Sequence, residues 1–182
     1  MSDHKSCCPP VDKGGCSNTG SCCGSSRTAH KEIVVDFLYI DLSVCDRCKG
    51  TGEALSEAIE DVRKILEAAG CSIIVNYVHV QTEEQAEELG FTSSPTIRIN
   101  GQDIQMDIKE TLCESCGDLC GDDIDCRVWV YGGKEYTIPP KPMIVNAILG
   151  YIYSSDLVTE INYTTKSVPE NLRKFFARGK VK

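Results

Sequence analysis

The apolar run from Ile33 to Leu42 passes almost directly into Cys45-x-x-Cys48 and then into a stripe of helical period, a succession that constrains the fold strongly. A short β-rich apolar run of this kind lies buried inside a sheet. Leu55, Ala58, Ile59, Val62, Ile65, Leu66 and Ala69 recur at three- and four-residue steps before Gly70, which predicts an amphipathic helix stopped by glycine. Ser72 to Val80 reads as a second buried strand, and Thr82 with Gln85 forms a capping box for a short helix ended at Gly90. The order strand, helix, strand, helix predicts the α/β class.

Further along, Thr96 to Ile99 reads as a strand that begins after Pro95 and ends at the Asn100-Gly101 turn. Arg127 to Tyr131 and Lys134 to Thr137 flank Gly132-Gly133 as a second hairpin. Beyond Pro139, Pro140 and Pro142, the stripe Ile144, Ala147, Ile148, Tyr151, Ile152 predicts a helix over Met143 to Tyr153. Ser167 with Glu170, and Leu172, Phe175 and Phe176 before Gly179, predict a short terminal helix. The 182 residues suit one domain plus extras. Residues 1–30 hold five Cys, four Gly, two Pro and six Ser, with Met1, Val11 and Ala29 the only other apolar side chains. That is too little apolar surface to offset the entropy of ordering, so a flexible Cys-rich tail is expected there. The main domain is expected over 31–155, with a Cys-rich insertion at about 106–126 and a C-terminal extension over 156–182.

The 19 basic and 27 acidic residues leave a net charge of −8, and no long block of Lys or Arg occurs, which argues against nucleic acid as a partner. No run approaches the ~20 apolar residues of a membrane span, and the first residues lack the apolar core of a secretion signal. A soluble cytoplasmic protein with no membrane partner is expected. Twelve cysteines in 182 residues are then anomalous, because a reducing compartment does not sustain a disulfide framework. Metal ligation or thiol redox chemistry is favoured, and no Ser-His-Asp, P-loop or dinucleotide-binding pattern competes with it.

The thiols fall into groups. Cys45 and Cys48 precede a predicted helix, whose unpaired N–H groups and dipole stabilise a thiolate; Arg47 would assist and Asp46 oppose. In a redox role Cys45 attacks and Cys48 resolves the mixed disulfide; metal or metalloid ligation and an inert pair are the alternatives. Gly50 and Gly52 weaken the first turn, and with Thr51 as N-cap the thiols would sit in a loop ahead of the helix. Cys113, Cys116, Cys120 and Cys126 lie among Glu114, Asp118, Asp122, Asp123 and Asp125. Four close thiolates suit Zn²⁺ or an iron–sulfur cluster; disulfides or a regulatory dithiol would also relieve the charge. This insertion is expected near no catalytic residue. In the tail, Cys7, Cys8, Cys16, Cys22 and Cys23 could wrap a soft metal or metalloid ion such as Cu(I), with His4 and His30 flanking them. Cys71 and His79 read as core residues, Trp129 and Tyr131 as sheet aromatics, and Arg173 and Lys174 as a solvated helix face.

The strand running into Cys45-x-x-Cys48, the second strand and helix, and the Ser94-Pro95-Thr96 start of the third strand resemble the thioredoxin and glutaredoxin superfamily over about Ile33 to Ser155. Cys45 to Gly52, Ser93 to Gly101, Arg127 to Tyr131 and Val168 to Phe176 are similar to an uncharacterised prokaryotic thioredoxin-like family. The resemblance implies a central mixed sheet flanked by helices, and a cis Pro95 that lies beside the cysteine pair and offers a backbone edge to a thiol or disulfide protein partner. Val44 and Asp46-Arg47 depart from the Trp and Gly-Pro of thioredoxins. Two functions are therefore expected. One is an enzyme, a thiol–disulfide oxidoreductase acting through Cys45 and Cys48. The alternative is a protein that binds, sequesters or delivers a thiophilic ion (zinc, copper, arsenic or mercury) through its cysteine clusters.

Overall fold

The computed structural model describes residues 31–113, 124–153 and 167–179. The tail cysteines Cys7, Cys8, Cys16, Cys22 and Cys23, and Cys116 and Cys120 of the insertion, lie outside the described residues.

Strand β1 (Lys31–Tyr39) sends Ile33, Val35 and Phe37 to one face and Leu38 to the other, the period of two that a central strand requires. It is flanked on one side by β2 (Cys71–His79), parallel to it, and on the other by β3 (Thr96–Ile99), antiparallel. Strand β4 (Gln102–Asp103) completes a mixed four-stranded sheet of order β2-β1-β3-β4. The β3–β4 turn is the expected Asn-Gly: both residues have positive φ, and the Asn100 carboxamide oxygen accepts the Val34 N–H at 2.6 Å. Helix α1 (Asp46–Ala68) links β1 to β2 and ends at Gly70, whose φ of 73° lets the chain reverse. Helix α2 (Glu83–Glu88) is capped by the Thr82 hydroxyl, which accepts the Gln85 N–H at 3.2 Å.

Strand pairing reaches into both ends of the expected insertion. Strands β5 (Lys109–Leu112), β6 (Asp125–Tyr131) and β7 (Lys134–Tyr136) form a second, antiparallel sheet, with the Gly132-Gly133 turn between β6 and β7. Helix α3 (Lys141–Tyr153) follows, and α4 (Glu170–Gly179) closes the described chain. The architecture is mixed α/β with open sheets; no helix among the described residues is long and apolar enough to cross a membrane.

Two buried clusters hold these elements. The first sets Ile33, Val35, Phe37, Ile97 and Ile99 of the sheet against Leu55, Ile59, Val62 and Leu66 of α1, Ile144 and Ile148 of α3, and Trp129. The second gathers at the end of β1 and combines Leu38, Ile40, Val80 and Phe91 with Val168, Leu172 and Phe176 around four cysteines, Cys45, Cys48, Cys113 and Cys126.

Helix α1 starts earlier than the Thr51 cap would place it. Cys45 is the N-cap, its Sγ accepts the Cys48 N–H at 3.3 Å, and Lys49 N–H donates to the Cys45 carbonyl at 3.0 Å, so both thiols belong to the helix start. The weak-propensity glycines are retained for space. A Cβ on Gly52 would stand 3.2 Å from Cε1 of the fully buried Phe37, and one on Gly50 would stand 2.4 Å from Cδ1 of Ile138.

Candidate metal centre

The chain between β1 and α1 is shaped by Asp41. One of its carboxylate oxygens, Oδ1, accepts hydrogen bonds from Ser43 N–H at 2.6 Å, Ser43 Oγ–H at 2.7 Å and Val44 N–H at 3.0 Å. Partial burial would raise the Asp41 pKa, but these donors outweigh it and hold the carboxyl below its usual range. The turn they form delivers Cys45 to the N-terminus of a 23-residue helix.

The two insertion cysteines arrive from the opposite side. The β5–β6 register pairs Leu112 with Asp125 and Thr111 with Cys126, and Cys113 N–H extends the ladder to the Ile124 carbonyl at 3.0 Å. Cys113 and Cys126 therefore lie on adjacent chains two residues out of step, within side-chain reach across a ladder. Arg47 fastens this ladder to the start of α1. Its Nη1 donates to the Thr111 carbonyl, the Thr111 hydroxyl and the Cys126 carbonyl at 2.9–3.2 Å, and its Nη2 to the Leu112 carbonyl at 2.8 Å. A second fastening joins Arg127 N–H of β6 to the Ser94 carbonyl at 2.8 Å.

The outcome is a group of three sulfurs. The Sγ atoms of Cys45, Cys113 and Cys126 all lie within 4.8 Å of one another, and none of the three residues is more than 1% exposed. The insertion is therefore not remote from the cysteine pair: backbone pairing and the Arg47 contacts bring two of its thiols to Cys45.

Cys48 is the fourth buried sulfur. The Ser94 hydroxyl oxygen, which accepts the Ile40 N–H at 3.3 Å, lies 3.3 Å from Cys48 Sγ, and the Ser94–Pro95 peptide bond is cis. The side chain of Cys45 and burial push the Cys48 thiol far up, and the Ser94 hydroxyl only partly offsets them. Both effects favour the protonated form of Cys48. Among the described residues Cys45, Cys48, Cys71, Cys113 and Cys126 are buried and form no disulfide with one another.

Other predicted residues sit apart. Cys71 is buried in the first cluster. His79 is exposed on β2, an edge strand, and not in the core expected for it; its Nε2 donates to the Ile40 carbonyl at 2.9 Å while Nδ1 accepts from Gln81. Arg173 pairs with Glu83 and Lys174 with Glu170. Sequence reasoning missed the surroundings of the sulfurs. Helix α4 contributes Leu172 to the second cluster, and its Asn171 side-chain amide donates to the Glu110 carboxylate at 3.2–3.3 Å and to the Asp125 carbonyl at 3.3 Å. Burial raises the Glu110 pKa against the opposing pull of this amide. The apolar face of α4 was legible in the sequence; its docking beside Cys126 was not.

Residues 33–148 match the family described as Domain of unknown function (DUF2703). No curated protein and no solved structure matches the chain.

Proposed function

Because this chain belongs to that family, whose function is unknown, its chemistry is read from its own sulfurs, and we propose that it binds one soft, thiophilic metal or metalloid ion at Cys45, Cys113 and Cys126. The observation that carries this reading is the meeting of three buried Sγ atoms, delivered by two separate segments, within 4.8 Å. An ion at the centre of a triangle with that edge stands ~2.8 Å from each sulfur, and drawing the edges in to ~4.0 Å gives the ~2.3 Å bond of zinc to thiolate. Three thiolates without a counter-charge would repel one another and resist burial, so the free site holds protons and the ion displaces them. Sulfur donors favour soft ions over Mg²⁺ or Ca²⁺.

Thiol–disulfide exchange through Cys45 and Cys48 is the second reading, supported by Cys45 capping a long helix and by the cis-proline loop beside Cys48. The sheet order β2-β1-β3-β4, with β1 and β2 parallel and β3 reversed, supports the thioredoxin-like fold on which that reading rests. Two features weigh against exchange with an external protein. Cys45 is 1% exposed, and the Ser94 carbonyl next to Pro95 already accepts a hydrogen bond from Arg127 of the same chain.

The test is native mass spectrometry of anaerobically purified full-length protein, with the five tail cysteines replaced by serine, titrated separately with Zn²⁺ and with arsenite. One added ion is expected, absent from Cys45→Ser, Cys113→Ser and Cys126→Ser and kept by Cys71→Ser. Retention of the ion by Cys113→Ser and Cys126→Ser alike refutes the proposal.

A further inference from the structure

Cys45 belongs to two constellations that cannot use it at the same time. It is one of the three clustered sulfurs, and it is also the N-cap of α1, with Cys48 three residues on and the Cys48 N–H donating to its Sγ at 3.3 Å. Residues spaced by three on a helix turn bring their Cβ atoms to ~5–6 Å, and the ~3.5–4.5 Å of a disulfide needs a shift of only ~1–2 Å at the extended N-cap, Cys45. We propose that a Cys45–Cys48 disulfide and ion binding at Cys45, Cys113 and Cys126 exclude each other, so that oxidation of the pair by a low-molecular-weight disulfide discharges the ion. The inference rests on the ion-binding reading and adds its regulation.

The chemistry balances without any further reactant. A Cys45 thiolate attacks one sulfur of the small disulfide RSSR. The S–S bond breaks, Cys45–S–S–R forms, and one RS⁻ leaves. Cys48, on giving up its proton, attacks Cys45 Sγ, forms the Cys45–Cys48 bond and expels the second RS⁻. Two electrons pass from the protein to RSSR, and two RSH form with one proton from Cys48 and one from the medium. The ion loses a third of its protein sulfurs, and Cys113 and Cys126 are left to take up protons as it departs.

Linkage fixes the size of the effect. An ion that binds only the dithiol form stabilises it by a factor of about [L]/Kd when in excess. At 100 times the dissociation constant the pair is therefore ~100-fold harder to oxidise. For a two-electron couple that is a midpoint ~60 mV more negative, at ~30 mV per tenfold.

The experiment titrates the full-length chain with glutathione redox buffers, with free Zn²⁺ either absent or held at 100 times its measured Kd, followed by acid quenching, alkylation and peptide mapping. The Cys45–Cys48 disulfide should appear in both series, shifted by the ~100-fold factor when zinc is present. In Cys126→Ser the disulfide should still form, with no zinc-dependent shift. Cys48→Ser should bind zinc and keep it when oxidised glutathione is added. Superimposed titrations in a protein that demonstrably binds zinc overturn the inference while leaving the binding site intact. Oxidation that joins Cys113 to Cys126 instead also overturns it. If direct titration shows no zinc bound at all, the site itself is refuted and the coupling falls with it.

Discussion

Leu172→Ala tests how the sulfurs communicate with solvent. Leu172 is fully buried in the cluster that contains Cys45, Cys113 and Cys126, and it is donated by α4, whose polar ties to other elements among the described residues are the Asn171 contacts with Glu110 and Asp125 and the Arg173–Glu83 pair. A helix held this sparsely should open before the rest of the fold does, exposing the thiols while β1, β2 and β3 remain paired. Truncating a buried leucine costs about 2–5 kcal/mol, and a site at the protein surface can collapse enough to sit near about 2–3. Leu172 is exposed in both the opened and the unfolded forms, so the whole penalty falls on closure. The opened fraction should then rise roughly 30- to 150-fold. With fast closing, the reaction of metal-free protein with an aromatic disulfide reagent, followed by stopped-flow absorbance, should accelerate by the same factor. Ile144→Val is the control. It removes a methylene from the first cluster and should lower global stability by about 1 kcal/mol, read from the fluorescence of Trp129, the single tryptophan. Its thiol rate should not change. An unaltered rate in Leu172→Ala, or equal acceleration per kcal/mol in both variants, would show that the sulfurs are reached only by global unfolding.

Arg47→Met removes the four hydrogen bonds that hold β5–β6 to the start of α1, at a cost of about 1–2 kcal/mol because the freed carbonyls can meet water. Zinc affinity measured with a competing chromophoric chelator should fall roughly tenfold, and an unchanged affinity would show that Arg47 does not organise the site. The half-buried Glu110 carboxyl titrates above its ordinary value, so its contribution to stability is complete below that value and is lost as pH rises through the folded value. Glu110→Gln, neutral throughout, should therefore gain in urea stability relative to the parent between about pH 4 and about pH 7; a constant or shrinking difference contradicts the assignment. Gly50→Ala and Gly52→Ala should separate by sign. Both gain about 1 kcal/mol of helix propensity, but half-exposed Ile138 can swing away from a Cβ at residue 50 while buried Phe37, packed against Tyr39 and Tyr77, cannot yield at residue 52. Urea midpoints that fall equally in both would refute the packing argument.

Local chemistry made much of the framework legible. The β1 run, the α1 stripe ending at Gly70, the Thr82 cap, the Asn100-Gly101 and Gly132-Gly133 turns and the α3 stripe each rest on interactions within a few residues, and each is found within a few residues of its expected bounds. The start of α1 was harder to place, because the signal at Gly50, Thr51 and Gly52 is about propensity while the structure uses the two glycines for close approach to Phe37 and Ile138. Strand β5 carried no signal at all. Lys109–Leu112 is polar and short, and it is a strand because β6 pairs with it. That missing strand is why Cys113 and Cys126 read as part of a self-contained loop motif rather than as neighbours of Cys45.

The insertion changes what the cysteine pair at the head of α1 can do. An isolated Cys-x-x-Cys at a helix start beside a cis-proline presents an attacking sulfur and a free backbone edge, and both features require access. Here β6 takes that edge through Arg127 and the Ser94 carbonyl, Arg47 turns toward the strand carbonyls, and two thiols from the same insertion surround Cys45. The edge that the proposed exchange would offer to an external disulfide is occupied by a segment of the same chain. An arrangement of this kind favours a third body held between the sulfurs over turnover of external disulfides, because an ion small enough to fit among three buried Sγ atoms needs far less opening than a protein substrate does. Access then becomes the property that separates the two chemistries: retention of the closed second cluster suits binding, and a variant that lifts α4 should move the same four cysteines toward exchange.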